Sequence, residues 1–170
     1  MIKRLISVLL VIMLISISGC NNNVEVNESS KIIFTAKDLD GKEITSEQVF
    51  KDNKITMVNV WATYCPPCIN EMPMLETLNK NFSKKGYGLI GIIADGETKN
   101  NDAKEIIKAT GVTYLNVCLN PDLDKLLEVQ VVPTTFFVDK KGNILGDPLY
   151  GARNESQYRY ELESRLSLVR

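Results

Sequence analysis

Trp61-Ala62-Thr63-Tyr64-Cys65-Pro66-Pro67-Cys68 contains two cysteines separated by two residues, a spacing that a disulfide can close. The preceding residues 55–60 are apolar and β-branched, as in a buried strand. After the pair, apolar residues recur every three to four positions, as on one face of a helix: Ile69, Met72, Leu75, Leu78 and Phe82. Such a pair between a strand and a helix is the redox element of oxidoreductases. The sequence therefore predicts a strand, a redox pair and a helix as its central unit.

The two prolines suit a helix that begins at the first cysteine. If Cys65 is the N-cap, Pro66 and Pro67 occupy the first turn, where a missing N–H removes no helical hydrogen bond. A thiolate at the cap is favoured by the positive end of the helix dipole, and the Cys68 N–H remains available to it. We therefore predict Cys65 as the nucleophile and Cys68 as the resolving thiol.

Composition limits the function classes. The chain has 170 residues, 44% of them hydrophobic, and a net charge of −1, which fits one globular domain and gives no strong field for nucleic acid. It contains no histidine, which excludes histidine acid–base and Cys-His protease mechanisms. Only one Cys-x-x-Cys pair is present, too few ligands for a structural zinc site. We expect neither a metal nor an organic cofactor.

The N-terminus has the features of an export signal. Lys3 and Arg4 precede an apolar run from Leu5 to Ile17, roughly 13 residues and within the range of a signal peptide. The ending Ile17-Ser18-Gly19-Cys20 resembles the lipobox of bacterial lipoproteins, in which the cysteine is lipidated. We predict a signal peptide at 1–19, a lipidated Cys20 with a flexible tether at 20–31, and a domain at 32–170. An uncleaved anchor is the alternative, and both place the domain outside the cytoplasm at a membrane surface.

Cys118 is left over from these assignments. It lies between Val117 and Leu119 in a strand-like run, which favours a packed apolar side chain over a second active thiol.

The remaining pattern alternates strands and helices. A turn at Asp40-Gly41 predicts an N-terminal hairpin, and the apolar run at 89–94 predicts a strand parallel to the first. Further segments are predicted as follows: a helix ending at Gly111, a strand at 114–119, a helix capped by Asp122, strands at 131–138 and 144–145, and a helix after Asn154. The fold class is α/β, a mixed sheet with helices on both faces.

These features together resemble the TlpA/ResA-like thiol-disulfide oxidoreductases of the thioredoxin fold. The resemblance rests on residues 61–68, on Glu71-Met72-Pro73, and on Val132-Pro133-Thr134-Thr135-Phe136. It implies that 101–119 is a central helix-strand insertion, that Pro133 is a cis-proline beside the disulfide, and that the backbone around Val132 pairs with an extended substrate. The implied substrate-binding residues are Trp61, Tyr64, Pro66, Pro67, Val132, Pro133 and Thr134.

Two positions need interpretation within this family. Thioredoxin usually has a buried aspartate where this chain has Asn59, so the proton acceptor for Cys68 must lie elsewhere. Glu71 is the candidate, since it follows Cys68 by three residues on the same helix face; a solvated helix acid is the alternative. Trp61 is interpreted as a platform under the disulfide rather than only a core aromatic.

Competing functions are less consistent with the residues. A Sco-type copper carrier needs a histidine ligand, and a peroxiredoxin needs a threonine three residues before its reactive cysteine, where this chain has Ala62. A non-catalytic adaptor with this fold stays open, as does a disulfide-donating oxidase, although we favour a reductase.

The resemblance also implies partners. The expected substrates are disulfides in exported proteins, such as apocytochrome c or a methionine sulfoxide reductase, and the expected electron donor is a transmembrane thiol carrier of the CcdA/DsbD type. The bilayer is contacted through Cys20. The protein is expected to be a monomer and to bind no nucleic acid.

Overall fold

The computed structural model describes residues 31–169. Its two sheets are a two-stranded N-terminal hairpin and a five-stranded sheet in the order β5-β4-β3-β6-β7. The strands are β1 (Thr35–Lys37), β2 (Glu43–Thr45), β3 (Ile55–Trp61), β4 (Tyr87–Ile93), β5 (Asn116–Cys118), β6 (Thr134–Asp139) and β7 (Leu149–Tyr150). The helices are α1 (Ser46–Phe50), α2 (Pro66–Phe82), α3 (Asn100–Thr110), α4 (Pro121–Leu127) and α5 (Glu155–Arg165).

Strand β3 is the centre of the sheet. It pairs with β4 in parallel and with β6 antiparallel, so the sheet is mixed. All seven of its residues are buried, as expected for a strand covered on both faces. Its side chains alternate between two separate cores: Met57 and Trp61 enter one, and Val58 and Val60 enter the other.

Helices cover both faces of the sheet. The apolar residues of α2, α3 and α5 pack on one face with Met57 and Trp61. Phe50 of α1 and Leu123 of α4 pack on the other face beside the N-terminal hairpin. This arrangement confirms the predicted thioredoxin-like α/β fold, with α3 and β5 as the inserted helix and strand at one edge.

Four local predictions differ from the structure. The strand predicted at 114–119 is shorter and spans Asn116–Cys118. The strand predicted at 131–138 begins only at Thr134, because Pro133 has no N–H to donate within the sheet. Helix α4 is capped by Asn120 rather than Asp122, since the Asn120 side chain accepts the Leu123 N–H at 2.9 Å. Ile144 makes only an isolated bridge to Val138, and the last strand is Leu149–Tyr150.

The predicted signal peptide, lipidated Cys20 and most of the tether lie outside the described residues. Within 31–169, no helix has the length and apolar character needed to cross a bilayer.

Candidate active site

The redox pair lies where β3 passes into α2. Cys65 is the N-cap of α2, Pro66 and Pro67 fill the first turn, and the two cysteines form a disulfide. The Cys68 N–H donates to the Cys65 sulfur at 3.3 Å, the contact predicted from the sequence. Cys65 is the more exposed cysteine, at 5% against 1% for Cys68. The geometry therefore gives Cys65 the position of an attacking thiolate at a helix N-terminus.

Asp95 fixes the loop that leads into Cys65. Its carboxylate accepts the Thr63 N–H at 3.0 Å and also the Thr63 hydroxyl. Asp95 was not predicted from the sequence, although a signal was present. Asp95 closely follows β4, and parallel strands such as β3 and β4 end at the same edge of a sheet. Two hydrogen bonds to one charged group stabilise the loop conformation before the nucleophile.

Glu71 lies one turn after Cys68 and is 5% exposed. Its Oε1 accepts from the Asn59 amide at 3.1 Å, while Oε2 accepts from the Arg153 N–H at 3.2 Å and the Tyr158 hydroxyl at 3.1 Å. Thr135 completes a ring of hydrogen bonds with Glu71, Asn59 and Tyr158, because its hydroxyl is 3.1 Å from the Asn59 amide and 3.3 Å from the Tyr158 hydroxyl. The interpretation of Glu71 as a solvated helix acid is therefore wrong.

Two opposing effects act on the Glu71 carboxyl. Burial raises its pKa above the ordinary value of 4.5, and the hydrogen bonds from Arg153, Asn59 and Tyr158 lower it in part. The balance leaves the pKa raised. Burial and the neighbouring Glu71 also raise the pKa of Tyr158, so its hydroxyl keeps its proton and donates. A buried carboxylate with a raised pKa, one turn from Cys68, is suited to accept a proton from that thiol.

Trp61 is a core residue rather than a substrate contact. Its side chain is fully buried, and its indole N–H donates to the Asn116 side chain at 2.9 Å. Asn116 in turn donates to the Tyr114 carbonyl at 3.0 Å. The prediction that Trp61 binds substrate is therefore wrong for its side chain.

The second correction concerns Thr134. Its side chain is fully buried and its hydroxyl donates to the Val131 carbonyl at 2.6 Å. Its backbone lies between two strands, opposite Val60 on one side and Tyr150 on the other. Because both edges of the backbone are paired within the sheet, Thr134 is not available to an added substrate strand.

The cis-proline is present. The Val132–Pro133 peptide bond is cis, and the next residue of β6 pairs with Val60 of β3. Pro133 is buried and its carbonyl accepts the Gly151 N–H at 2.8 Å. Val132 is half-buried and precedes the strand pairing. Val132 thus remains the position predicted to pair with a substrate backbone.

Several exposed side chains near the disulfide are apolar. Tyr64 is 71% exposed, Val131 is 49% exposed, and Pro66 and Pro67 are also exposed. A groove of about 450 Å³ beside Tyr64 is lined by Leu119, Val129, Val131 and Val132, and also by the polar side chains of Asp124 and Gln130. Exposed apolar groups next to a redox pair can bind a polypeptide that carries the reacting disulfide.

Cys118 does not join this site. It is a free, buried cysteine on β5, 7% exposed. Burial raises the pKa of its thiol, and the charges of Glu97 and Asp38 raise it further. A protonated, buried thiol agrees with the interpretation of Cys118 as a packed side chain.

Other proteins resemble this chain in sequence and in fold. A family model described as Redoxin matches residues 26–162. The chain belongs to the Redoxin family. Thioredoxin-like protein YneN of Bacillus subtilis is 28% identical over 176 residues, covering 96% of this chain and 99% of that protein. Thiol-disulfide oxidoreductase ResA of Bacillus thuringiensis is 32% identical over 113 residues, covering 66% of this chain and 63% of that protein.

Solved structures agree on the fold. A thiol:disulfide interchange protein of Chlorobium tepidum superposes with a TM-score of 0.72 at 24% identity, covering 84% of this chain and 99% of that chain. StoA of Bacillus subtilis superposes with a TM-score of 0.62 at 22% identity, covering 78% and 97%. With the family match and the Cys65–Cys68 pair, these findings confirm a thioredoxin-fold thiol-disulfide oxidoreductase.

Proposed function

We propose that this Redoxin-family protein is a membrane-anchored, extracytoplasmic reductase of disulfides in exported proteins. The observation that carries the catalytic part is the joint position of Cys65 at the α2 N-cap and the buried, hydrogen-bonded Glu71 one turn beyond Cys68. An adaptor that never cycles needs neither of these features.

The reaction proceeds in two exchanges. The Cys65 thiolate attacks one sulfur of a substrate disulfide, forming a mixed disulfide and releasing the first substrate thiolate. Cys68 gives its proton to Glu71 and attacks the Cys65 sulfur, releasing the second substrate thiolate. Two electrons pass to the substrate, and the protein is left with the Cys65–Cys68 disulfide found in the structure.

After each turnover the disulfide of a reductase must be reduced again by a dithiol. Exported compartments lack a ready thiol pool, so we propose a transmembrane carrier of the CcdA/DsbD type as the donor. The sequence support for proximity to such a carrier is the apolar run at 5–17 and the lipobox-like ending at Cys20. A tether of about eleven residues has a mean reach on the order of 18 Å, which leaves the domain free to meet both carrier and substrate.

Apocytochrome c, a methionine sulfoxide reductase and other exported proteins are the proposed substrates. The exposed Tyr64 and the groove beside Val132 would hold the substrate segment around its cysteine.

The reduction potential tests the direction of the reaction. Purified full-length protein with Cys118→Ser, in detergent, is equilibrated with dithiothreitol buffers and the Cys65–Cys68 state is read by thiol alkylation. A reductase is expected near thioredoxin's potential of about −270 mV. A value near the strong oxidant range of about −120 mV would instead identify a disulfide donor.

A further inference from the structure

The end of the domain opposite the disulfide is strongly basic. Ile55, the first residue of β3, lies between Tyr87 of β4 and Asp139 of β6. The residues that flank this end of the three strands, and the end of α1 beside it, include six exposed lysines: Lys51, Lys54, Lys84, Lys85, Lys140 and Lys141. We call this set the basic pole. Strand β3 separates it from the redox loop by about 20 Å, at about 3.3 Å for each residue.

The charge of the basic pole is largely unbalanced. Within residues 31–169, none of these six lysines forms an ion pair. The carboxylate of Asp139 accepts the backbone N–H groups of Lys141 and Asn143. Asp52, next to Lys51, and Glu163, whose charge acts on Tyr87, are acidic groups at this end. The pole therefore carries a net positive charge.

The opposite end of the domain has no excess of positive charge. A groove of about 850 Å³ there is lined by Lys37 and by four acids: Asp38, Asp40, Glu43 and Glu97. Lys42 lies in the adjoining hairpin turn, and Lys104 pairs with Asp40 at 2.8 Å. Gly96 and Cys118, which also line it, lie at the same sheet edge as the redox loop. The three lysines and four acids of this end nearly cancel, whereas the basic pole has more lysines than acids.

The chain enters the described domain at the basic pole. Lys31 bridges to Asn143, and the Ile32 N–H donates to the Gly142 carbonyl at 2.9 Å. Both contacts are made by the turn that contains Lys141. The segment that leads from Cys20 and the apolar run therefore joins the domain at the lysine-rich end.

We propose that the basic pole lies against anionic phospholipid head groups and so turns the redox loop away from the membrane. The lysines of the basic pole attract an anionic surface, and the opposite end has no matching excess of positive charge, which favours one orientation. Each lysine near such a surface contributes about a fivefold preference for the docked orientation, weakened by salt. The disulfide would then face exported substrates, and the domain would have to turn over to meet a donor in the bilayer.

Lysine footprinting on full-length protein in vesicles tests this orientation. The probe is trace acetylation read by mass spectrometry, on phosphatidylcholine vesicles and on vesicles with added phosphatidylglycerol. Lys51 and Lys54 are expected to react at least fivefold more slowly on the anionic vesicles at low salt, with protection lost at high salt. Lys37 and Lys42 at the opposite end are expected to react at equal rates on both.

Matched triple variants distinguish an effect of the basic pole from an effect of the protein's overall charge. K84Q/K140Q/K141Q should weaken the docking equilibrium on the order of 100-fold, so that protection of Lys51 and Lys54 is lost at a lower salt concentration than in the wild type. K37Q/K42Q/K104Q removes the same charge from the other end and should preserve protection. Equal acetylation of the wild type on both vesicles would overturn the proposal.

Vesicle flotation tests the N-terminal anchor separately. Flotation with phosphatidylcholine vesicles reports whether the N-terminal segment holds the protein to lipid, which is part of the proposed function. The difference between the two lipid compositions reports the basic pole alone. Failure of one is therefore distinguishable from failure of the other.

Discussion

Removing the Tyr158 hydroxyl tests the role of the Glu71 network. Tyr158→Phe deletes one donor to Glu71 Oε2, at 3.1 Å, while the ring stays in its buried position. The Arg153 N–H and the Asn59 amide remain as donors. A hydrogen bond to a charged group contributes about 1.5–3 kcal/mol, which at the lower bound changes the ratio of ionised to protonated Glu71 by about tenfold.

The direction of the change in the Glu71 pKa follows from the negative charge of the carboxylate. The lost hydrogen bond favoured the carboxylate, so its removal raises the pKa of Glu71 further. If Glu71 accepts the Cys68 proton, the second exchange slows by about tenfold or more at acidic pH and recovers at higher pH. The assay is the release of substrate thiol from a preformed mixed disulfide with Cys65, measured from pH 4 to pH 9.

Tyr160→Phe is the control, because Tyr160 lies on the same helix and is 68% exposed. It should leave the pH profile of release unchanged. Identical pH profiles for Tyr158→Phe and the wild type, with both proteins folded, would refute the proton-acceptor role of Glu71.

Three further changes have defined outcomes. The raised pKa of Glu71 means that the native state binds this proton more tightly than the unfolded chain does. The stabilisation that this proton gives is complete below the ordinary pKa of 4.5 and is lost as pH rises through the raised pKa. Glu71→Gln should therefore abolish this pH-dependent loss in urea unfolding curves, and an unchanged pH dependence would contradict the assignment. Asp95→Asn weakens both hydrogen bonds from Thr63 and should lower the free energy of unfolding by about 1.5–3 kcal/mol in the same assay; a loss below about 0.5 kcal/mol would show that this contact does not stabilise the loop. Cys118→Ser should leave disulfide turnover intact in an insulin reduction assay, because the thiol is buried and protonated, and a large loss would make Cys118 a second active thiol.

The redox unit was predictable because it is local in sequence. The N-cap at Cys65, the prolines of the first turn and the position of Glu71 one turn after Cys68 all follow from helix spacing. Hydrophobic runs likewise identified β3 and β4 as buried strands, and their parallel pairing is observed.

Contacts between distant segments were not predictable in the same way. Tyr158 is 87 residues from Glu71, and only the packing of α5 on the sheet brings its hydroxyl to the carboxylate. The error at Thr134 has a similar cause. The family motif marks the position, but only the sheet register shows that its backbone is already paired with both Val60 and Tyr150.

Trapping of the mixed disulfide tests the central claim most directly. Full-length protein with Cys68→Ala is reduced, mixed with a disulfide-containing exported protein and analysed by non-reducing electrophoresis and mass spectrometry. The mechanism predicts a stable mixed disulfide through Cys65, released by dithiothreitol and absent when Cys65 is also replaced by Ala. No trapped species with Cys68→Ala, or one that persists without Cys65, would contradict catalysis by this pair.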